Sequence, residues 1–282
     1  DIGLGIPAEA LFRSSYTKGG TYIRVANTSA GANGMTVEGS YQIDNFNPIQ
    51  ITRVYDQTEE GNGKAYILES EPIMTTRKSV FDVLGEHEEF SLFRELLEGS
   101  PLLESMHDGM YATPSMNIST LNTYHYTVYV PTNESIQQLI RSGQLSTWED
   151  VEQYREHGEE ERANADSLTI VNFLRYHIQD NSLVIGGGTA EDTYETALID
   201  AKTHRFYQVN SKLDANGLTV RDNAGNVVNV VTSGGLYNLM AREYQFNAKN
   251  HTDATQIVTT SSVLIHQVDK PLMYSASLNS NE

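Results

Sequence analysis

The sequence predicts an α+β protein, in which strands and amphipathic helices follow one another around an apolar core. Residues 126–130 are β-branched and aromatic, which indicates a buried strand, and Pro131 ends it because proline cannot donate into a sheet. Thr132 or Asn133 can cap the helix that follows, since apolar residues recur there at helical spacing. Two Asn-Gly pairs stand between alternating segments, as in β-hairpins.

Four further helices are predicted from capping residues and apolar spacing. Ser79 and Asp82 form a capping box at the start of the first, and a second helical pattern stops at Gly99. Thr147 can cap another helix, whose far end is the acidic run 156–161, and residues 167–178 show helical spacing. Residues 100–122 are mixed and turn-rich, so we expect a loop there.

The remaining strands are expected in the last third of the chain. Four short segments carry the pattern, namely residues 197–199, 205–209, 218–221 and 227–231. A closing strand is predicted at 263–268. We expect a short helix around residues 236–241.

The charge of the chain excludes some classes of function. There are 37 acidic and 19 basic side chains, for a net charge of −18. This balance argues against binding nucleic acid through its phosphates and against docking on anionic lipid. No apolar run reaches the length of a membrane helix, so no span is expected within this chain. There is no cysteine and hence no disulfide.

No motif for catalysis, a cofactor or a metal stands out. The chain lacks a G-x-S-x-G elbow and a phosphate loop, and its eight histidines are scattered singly. We therefore expect no catalytic, cofactor-binding or metal-binding residues. His177 and His266 lie among apolar neighbours and are interpreted as core-edge residues bonded to the backbone; a ligand contact is the alternative.

Three sequence boxes resemble the fasciclin (FAS1) domain, and they occur in that family's order. The first is the strand-Pro-Thr-Asn-helix pattern at 126–139, similar to the family's T-V-F-A-P-T-N-E-A-F. The second, V-N-F-L-R-Y-H-I at 171–178, is similar to L-x-N-Y-H-I. The third, S-V-L-I-H-Q-V-D-K-P-L at 262–272, resembles N-G-V-I-H-x-I-D-x-V-L. The family-motif residues, interpreted as structural, are Pro131, Thr132, Asn133, Tyr176, His177, His266 and Asp269.

An internal repeat extends the resemblance to the beginning of the chain. Residues 22–37 match 206–220 around their Asn-Gly turns, and 65–74 match 263–273 around a shared proline. Residues 1–75 are therefore similar to the C-terminal half of a fasciclin domain. Residues 76–275 are similar to a complete one with insertions near 142–165 and 233–255, and residues 276–282 are a tail.

The resemblance implies a wedge-shaped β-sandwich with packed helices, preceded by a β-rich partial repeat. It implies a non-enzymatic cell-surface module that binds or adheres to a protein or a glycan. A narrower expectation is an accessory lipoprotein of an outer-membrane nutrient-uptake complex, with transporter subunits as partners. Such a protein would lie on the extracellular face of a bacterial outer membrane, lipid-anchored upstream of residue 1. The alternatives are a polysaccharide hydrolase with an acidic cleft and a structural spacer.

Overall fold

The computed structural model describes residues 12–17, 22–32, 34–56, 63–106, 115–121, 125–246 and 257–275. The chain divides into two compact units, an N-terminal unit of Asp1–Arg77 and a C-terminal unit of Lys78–Glu282. The described residues form both helices and strands, with more strands than helices, so the protein is α+β as the sequence predicts. The predicted tail, Asn33 of the first Asn-Gly turn and residues 247–255 of the second insertion lie outside the described residues.

The N-terminal unit is an antiparallel five-stranded meander in the order β1-β2-β3-β4-β5. Its elements are β1 (Phe12–Tyr16), β2 (Tyr22–Ala26), β3 (Thr36–Gly39), α1 (Ser40–Asp44), β4 (Ile49–Asp56) and β5 (Lys64–Leu68). Four buried side chains form its core: Met35, Val37, Ile49 and Ile51. The unit therefore has a small apolar centre with β5 at the edge of the sheet.

The segment that follows β5 is held by a buried glutamine of α1. The Gln42 side chain accepts hydrogen bonds from the backbone N–H groups of Gly39 and Met74 and donates to the carbonyl of Pro72. Gly39 leaves space for this contact, because a Cβ there would overlap the carbonyl oxygen of Met74. Hydrogen bonds of one side chain to Pro72 and Met74 thus fix the end of the N-terminal unit.

The described residues of the C-terminal unit form five α-helices, and three of them begin at caps that the sequence predicts. They are α2 (Val80–Gly85), α3 (Ser91–Glu98), α4 (Asn133–Arg141), α5 (Trp148–Glu156) and α6 (Glu160–Tyr176), with a 3-10 turn at Glu88–Phe90. Ser79 and Thr147 form capping boxes, and Thr132 caps α4. Gly99 is the C-cap of α3.

The strands of the C-terminal unit form one eight-stranded sheet and one hairpin. The sheet has the order β13-β12-β11-β10-β9-β8-β15-β14, and β6 pairs with β7. The bounds are β6 (Leu103–Met106), β7 (Ser115–Ile118), β8 (His125–Pro131), β9 (Ile178–Asp180), β10 (Ala190–Ile199), β11 (Phe206–Asp214), β12 (Gly217–Arg221), β13 (Val227–Asn229), β14 (Leu239–Phe246) and β15 (Ile257–Val268). Strands β8 and β15 are parallel, and the other pairs in the sheet are antiparallel.

Two apolar cores lie on opposite faces of this sheet. On β8, Tyr126 and Val128 belong to the core that includes the helices, whereas Tyr129 belongs to the second core. Val230, directly after β13, bridges to Val268 at the end of β15, so the sheet curls around the second core. A strand buried on both faces is apolar at nearly every position, which explains the unbroken pattern that predicted β8.

The structure corrects four expectations from the sequence. Part of the loop expected at 100–122 is the β6–β7 hairpin, and the helix expected at 236–241 is instead the start of β14, paired with β15. Helix α6 begins at Glu160 and not near Ser167, and β10 begins at Ala190, well before residue 197. The two misassigned segments form strands because each pairs with another strand, and local patterns do not report this pairing.

Among the described residues, no helix has the length and apolar character that crossing a membrane requires.

Candidate functional site

The first fasciclin-like box ends a buried strand and attaches a helix to its neighbours. Pro131 is buried opposite Val268, and the N–H of Thr132 donates to the Val268 carbonyl at 3.2 Å. Thr132 is the cap, and Asn133 has a different role from the capping one expected for it. Its side chain accepts from the N–H of Leu92 at 3.1 Å and donates to the carbonyl of Glu88 at 2.8 Å, which fastens α4 to the start of α3.

The second box supplies two side chains that seal the end of α6. The Tyr176 hydroxyl accepts from the N–H of Asn223 at 2.9 Å, and burial raises the pKa of this tyrosine. His177 is fully buried between the carbonyl of Phe173, at 2.7 Å from Nδ1, and the N–H of Leu272, at 3.0 Å from Nε2. These partners assign the proton to Nδ1 and leave Nε2 as an acceptor.

The third box closes the unit in the same manner. His266 is fully buried; its Nδ1 accepts from the N–H of Asn238 at 3.2 Å, and its Nε2 lies 2.9 Å from the carbonyl of Leu183. The Asp269 carboxylate accepts from both the backbone and the side chain of Asn229, at 2.9 and 3.0 Å. Each of the seven motif residues is thus engaged by other parts of the fold.

Perturbed pKa values frequently mark functional sites, and three buried groups of the C-terminal unit have them. Burial lowers the pKa of His177 and of His266 to about 4. Burial also raises the pKa of Glu243 to about 8. The backbone N–H groups of Val80 and Ile118 donate to its carboxyl group at 2.7 and 2.9 Å and lower the pKa, but the effect of burial is larger. All three are enclosed in the core and form hydrogen bonds with backbone groups, so we assign them to stability.

The first and third boxes meet at one shallow groove, here called the motif groove. It has a volume of about 510 Å³. Its described lining is polar apart from a leucine and a proline: Thr132, Glu134, Ser135, Gln138, Leu139, Ser142, Gln144, Asp269, Lys270 and Pro271. It brings Thr132 and Asp269 together, but both side chains already have protein partners.

A second groove lies on the helix side of the sheet, beyond the end of α6, and is here called the bulge groove. Its volume is about 410 Å³. Its described lining combines apolar and charged side chains: Thr120, Tyr126, Arg175, Asp180, Glu195, Thr196, Ala197, Ile199 and Phe206. Concave sites with apolar walls and a few convergent polar groups are the usual form of ligand sites.

An irregularity in the sheet shapes this groove. The pairing of β10 with β11 shifts register between Glu195 and Ile199, as in a β-bulge. After the shift, Ile199 stands opposite Phe206, and these side chains are 47% and 41% exposed. Bulges occur often beside functional sites, where they redirect side chains. Here the bulge presents an apolar pair to solvent.

Two carboxylates face each other across the neighbouring strands. Gln179 of β9 pairs with Thr196 of β10 in an antiparallel ladder, so Asp180 and Glu195 stand opposite each other. Like charges in directly opposite positions destabilise a sheet. A feature that opposes stability, next to an exposed apolar pair, is the kind of local conflict that proteins retain at functional sites.

Arg175 supplies the positive charge of the bulge groove. It lies in the last turn of α6, where a cation interacts favourably with the helix dipole, and it is partly buried. Its side chain has no hydrogen bond or ion pair with the described residues, in spite of the two carboxylates that line the same groove. A guanidinium that has no partner among the described residues has its donors available to a ligand.

Sequence reasoning did not identify the bulge groove. Its charged residues come from α6, β9 and β10, and in the sequence each is a single residue without a motif. The one available signal was the position of Arg175 immediately before the Tyr176-His177 pair of the second box.

Neither the known protein families nor the curated proteins include a match to this chain. The fasciclin resemblance therefore rests on the three boxes alone and stays a prediction.

Proposed function

We propose that this protein is a non-enzymatic binding module of the cell surface, which recognises a protein or a glycan in the bulge groove. The observation that carries the proposal is the groove itself, where Arg175 has no partner among the described residues and lies beside the exposed pair Ile199 and Phe206. The motif residues, in contrast, are occupied within the fold. Recognition would therefore depend on residues outside the boxes.

The fasciclin resemblance supplies the setting of this proposal. It implies a wedge-shaped sandwich for the C-terminal unit, a partial second repeat for the N-terminal unit, and attachment to the outer face of a bacterial outer membrane. The curled sheet with helices on one face agrees with that expectation at the level of α+β architecture. In the narrower version, the protein is an accessory lipoprotein of a nutrient-uptake complex, and migration as an isolated monomer in native membrane extracts would contradict it.

A glycan and peptide microarray tests the binding function. We expect the labelled protein to bind a subset of the spots and the Arg175→Ala and Phe206→Ala variants to lose that signal. Arg141→Ala is the matched control for the first, since Arg141 is likewise in the last turn of its helix but lines neither groove. Phe46→Ala controls for the second, because Phe46 is a 92% exposed phenylalanine of the N-terminal unit. Signals that survive both groove substitutions would refute the proposal.

A hydrolase is the second candidate, because Asp180 and Glu195 lie opposite each other in the groove. Glycosidases use two carboxyl groups, one of which donates a proton. We favour binding because both side chains are exposed, whereas such an acid is normally shielded from water. The hydrolase would become the favoured function if the protein releases new reducing ends from an oligosaccharide and if Glu195→Gln or Asp180→Asn abolishes this release.

A further inference from the structure

We infer that the ligand of the bulge groove is a neutral oligosaccharide, a chain of pyranose sugars without carboxylate or sulfate groups. This inference rests on the proposed function and narrows it. It is drawn from the charges, the apolar pair and the size of the groove.

The charges of the groove favour a ligand that both donates and accepts hydrogen bonds. The Arg175 guanidinium only donates, and the carboxylates of Asp180 and Glu195 only accept. A sugar hydroxyl does both, so adjacent hydroxyls of one ring can accept from the guanidinium and donate to a carboxylate. Both kinds of group are planar and bidentate, which suits two neighbouring hydroxyls.

The same charges disfavour ionised ligands. The groove carries one positive and two negative side chains, on a protein with a net charge of −18. An acidic sugar would meet the two carboxylates and the overall negative potential. A lysine or arginine of a peptide could pair with the carboxylates, but it would leave the donors of the Arg175 guanidinium unused. A neutral ligand with hydroxyl groups can bond all three charged side chains.

The apolar part of the groove matches the face of a sugar ring. A pyranose presents C–H groups on its two faces and hydroxyls around its edge. The Phe206 ring, next to Ile199, offers an exposed apolar surface to such a face, while the charged groups lie in the same groove. Aromatic rings with a polar surrounding commonly serve as anchors in binding sites.

The dimensions of the groove are consistent with a short stretch of such a chain. Its volume of about 410 Å³ lies within the range of roughly 300–1,000 Å³ that is typical of small-molecule sites. Four of its lining residues, Asp180, Glu195, Ile199 and Phe206, are exposed, so a chain longer than the groove can extend from it into solvent. An oligosaccharide therefore fits better than a small molecule that must be enclosed.

Titration calorimetry with defined hexasaccharides tests the inference. The neutral probes are cellohexaose, laminarihexaose, mannohexaose and xylohexaose; the ionised probes are hexagalacturonate and a hexalysine peptide. We expect at least one neutral probe to bind, with an affinity that changes little between low and high salt, because no ion pair with the ligand forms. Phe206→Ala and Arg175→Ala should each weaken it about tenfold or more, as for central contact residues.

Arg141→Ala and Phe46→Ala should leave this affinity unchanged. Trp148 fluorescence verifies that the C-terminal unit of each variant is folded, and circular dichroism verifies both units. Groove-dependent binding of hexagalacturonate or hexalysine, without a neutral binder, would overturn the inference and leave the proposed function standing. If none of the neutral probes binds, the inference is likewise wrong. If binding of every probe is insensitive to both groove substitutions, the inference and the proposed function fail together.

Discussion

The two units end in strands of related sequence that have opposite environments. Strand β15 lies between β8 and β14, and its residues from Val263 to His266 are at most 2% exposed. Strand β5 has β4 as its neighbour at the edge of its sheet, and Tyr66 and Ile67 are 44% and 45% exposed. The same strand pattern is thus central in one unit and peripheral in the other.

A backbone contact recurs in the two units in spite of this difference. The N–H of Met74 donates to the side chain of Gln42, and that of Met273 donates to the side chain of Asp222. Each methionine lies two residues after a proline that follows the closing strand. The polar tether is therefore local to the repeat, whereas burial of the strand depends on β8 and the helices, which belong to the C-terminal unit.

The largest difference is expected from removing an equivalent apolar side chain in each strand. Ile265→Ala should lower the free energy of unfolding by about 2–5 kcal/mol, because it leaves a cavity in the core that includes the helices. Ile67→Ala should cost less than about 1 kcal/mol, since the side chain is half in water. Urea unfolding followed by Trp148 fluorescence, the only tryptophan, reports the C-terminal unit, and circular dichroism reports both. Equal losses for the two variants would contradict the comparison.

A buried glutamate in each unit provides a second test of the comparison between the two units. Glu243→Ala leaves the N–H groups of Val80 and Ile118 without an acceptor, at a cost of about 1–3 kcal/mol each. Glu38 of the N-terminal unit is buried too, but its partner is the side chain of Arg24 at 2.8 Å. Glu38→Ala should leave the unfolding midpoint at Trp148 unchanged, whereas Glu243→Ala lowers it. No shift in that midpoint for Glu243→Ala would show that this carboxylate does not hold α2 and β7.

The pH dependence of stability should come from the C-terminal unit. His177 and His266 take up protons in the unfolded chain near the ordinary histidine pKa of 6.5 but in the folded protein only near 4, because burial disfavours the charged ring. Lowering the pH from 6.5 to 4 should therefore remove up to about 3 kcal/mol of stability for each histidine. Glu243, with its pKa raised from 4.5 to about 8, is stabilising while protonated, and its contribution declines as the pH rises between those values.

These three groups together place the maximum of stability near pH 6.5, measured as the urea midpoint at Trp148 from pH 4 to 8. Nuclear magnetic resonance titration of the ring protons follows the two histidines directly. A midpoint near 6.5 for either ring would contradict its enclosure.

The smallest effect is expected at two glycines that leave no space for a side chain. A Cβ at Gly99 would overlap the Trp148 ring, so Gly99→Ala should cost about 1–3 kcal/mol and alter tryptophan fluorescence. Gly39→Ala should destabilise the N-terminal unit alone, through the Met74 carbonyl. Gly85→Ala is the control in a helix, because its Cβ would approach only a flexible arginine side chain. Unchanged fluorescence in Gly99→Ala would show that Trp148 can shift freely.

Much of the local structure could be predicted, whereas the candidate site could not. Ser79, Thr132 and Thr147 were expected to be able to cap helices, and all three do. The Asn216-Gly217 pair was expected between strands and lies at the β11–β12 turn. The charged residues of the bulge groove were missed, because it is the pairing of β9 with β10 and the end of α6 that bring them together.

The sequence by itself determined the helix caps, the stop at Gly99 and the hairpin turn, because these depend on contacts between residues close together in the chain. It also predicted the strand at 126–130, because a strand buried on both faces has an unbroken apolar pattern. Only the tertiary structure decided that residues 239–246 form a strand and that His177 and His266 are enclosed. It also decided that Arg175, Asp180 and Glu195 line the same groove. The physical reason is that these outcomes depend on partners in other elements of the fold, such as Ile265 for Leu239 and Leu272 for His177. Strand pairing and burial are properties of the assembled sheet, and a local sequence pattern does not specify which strand will be the neighbour.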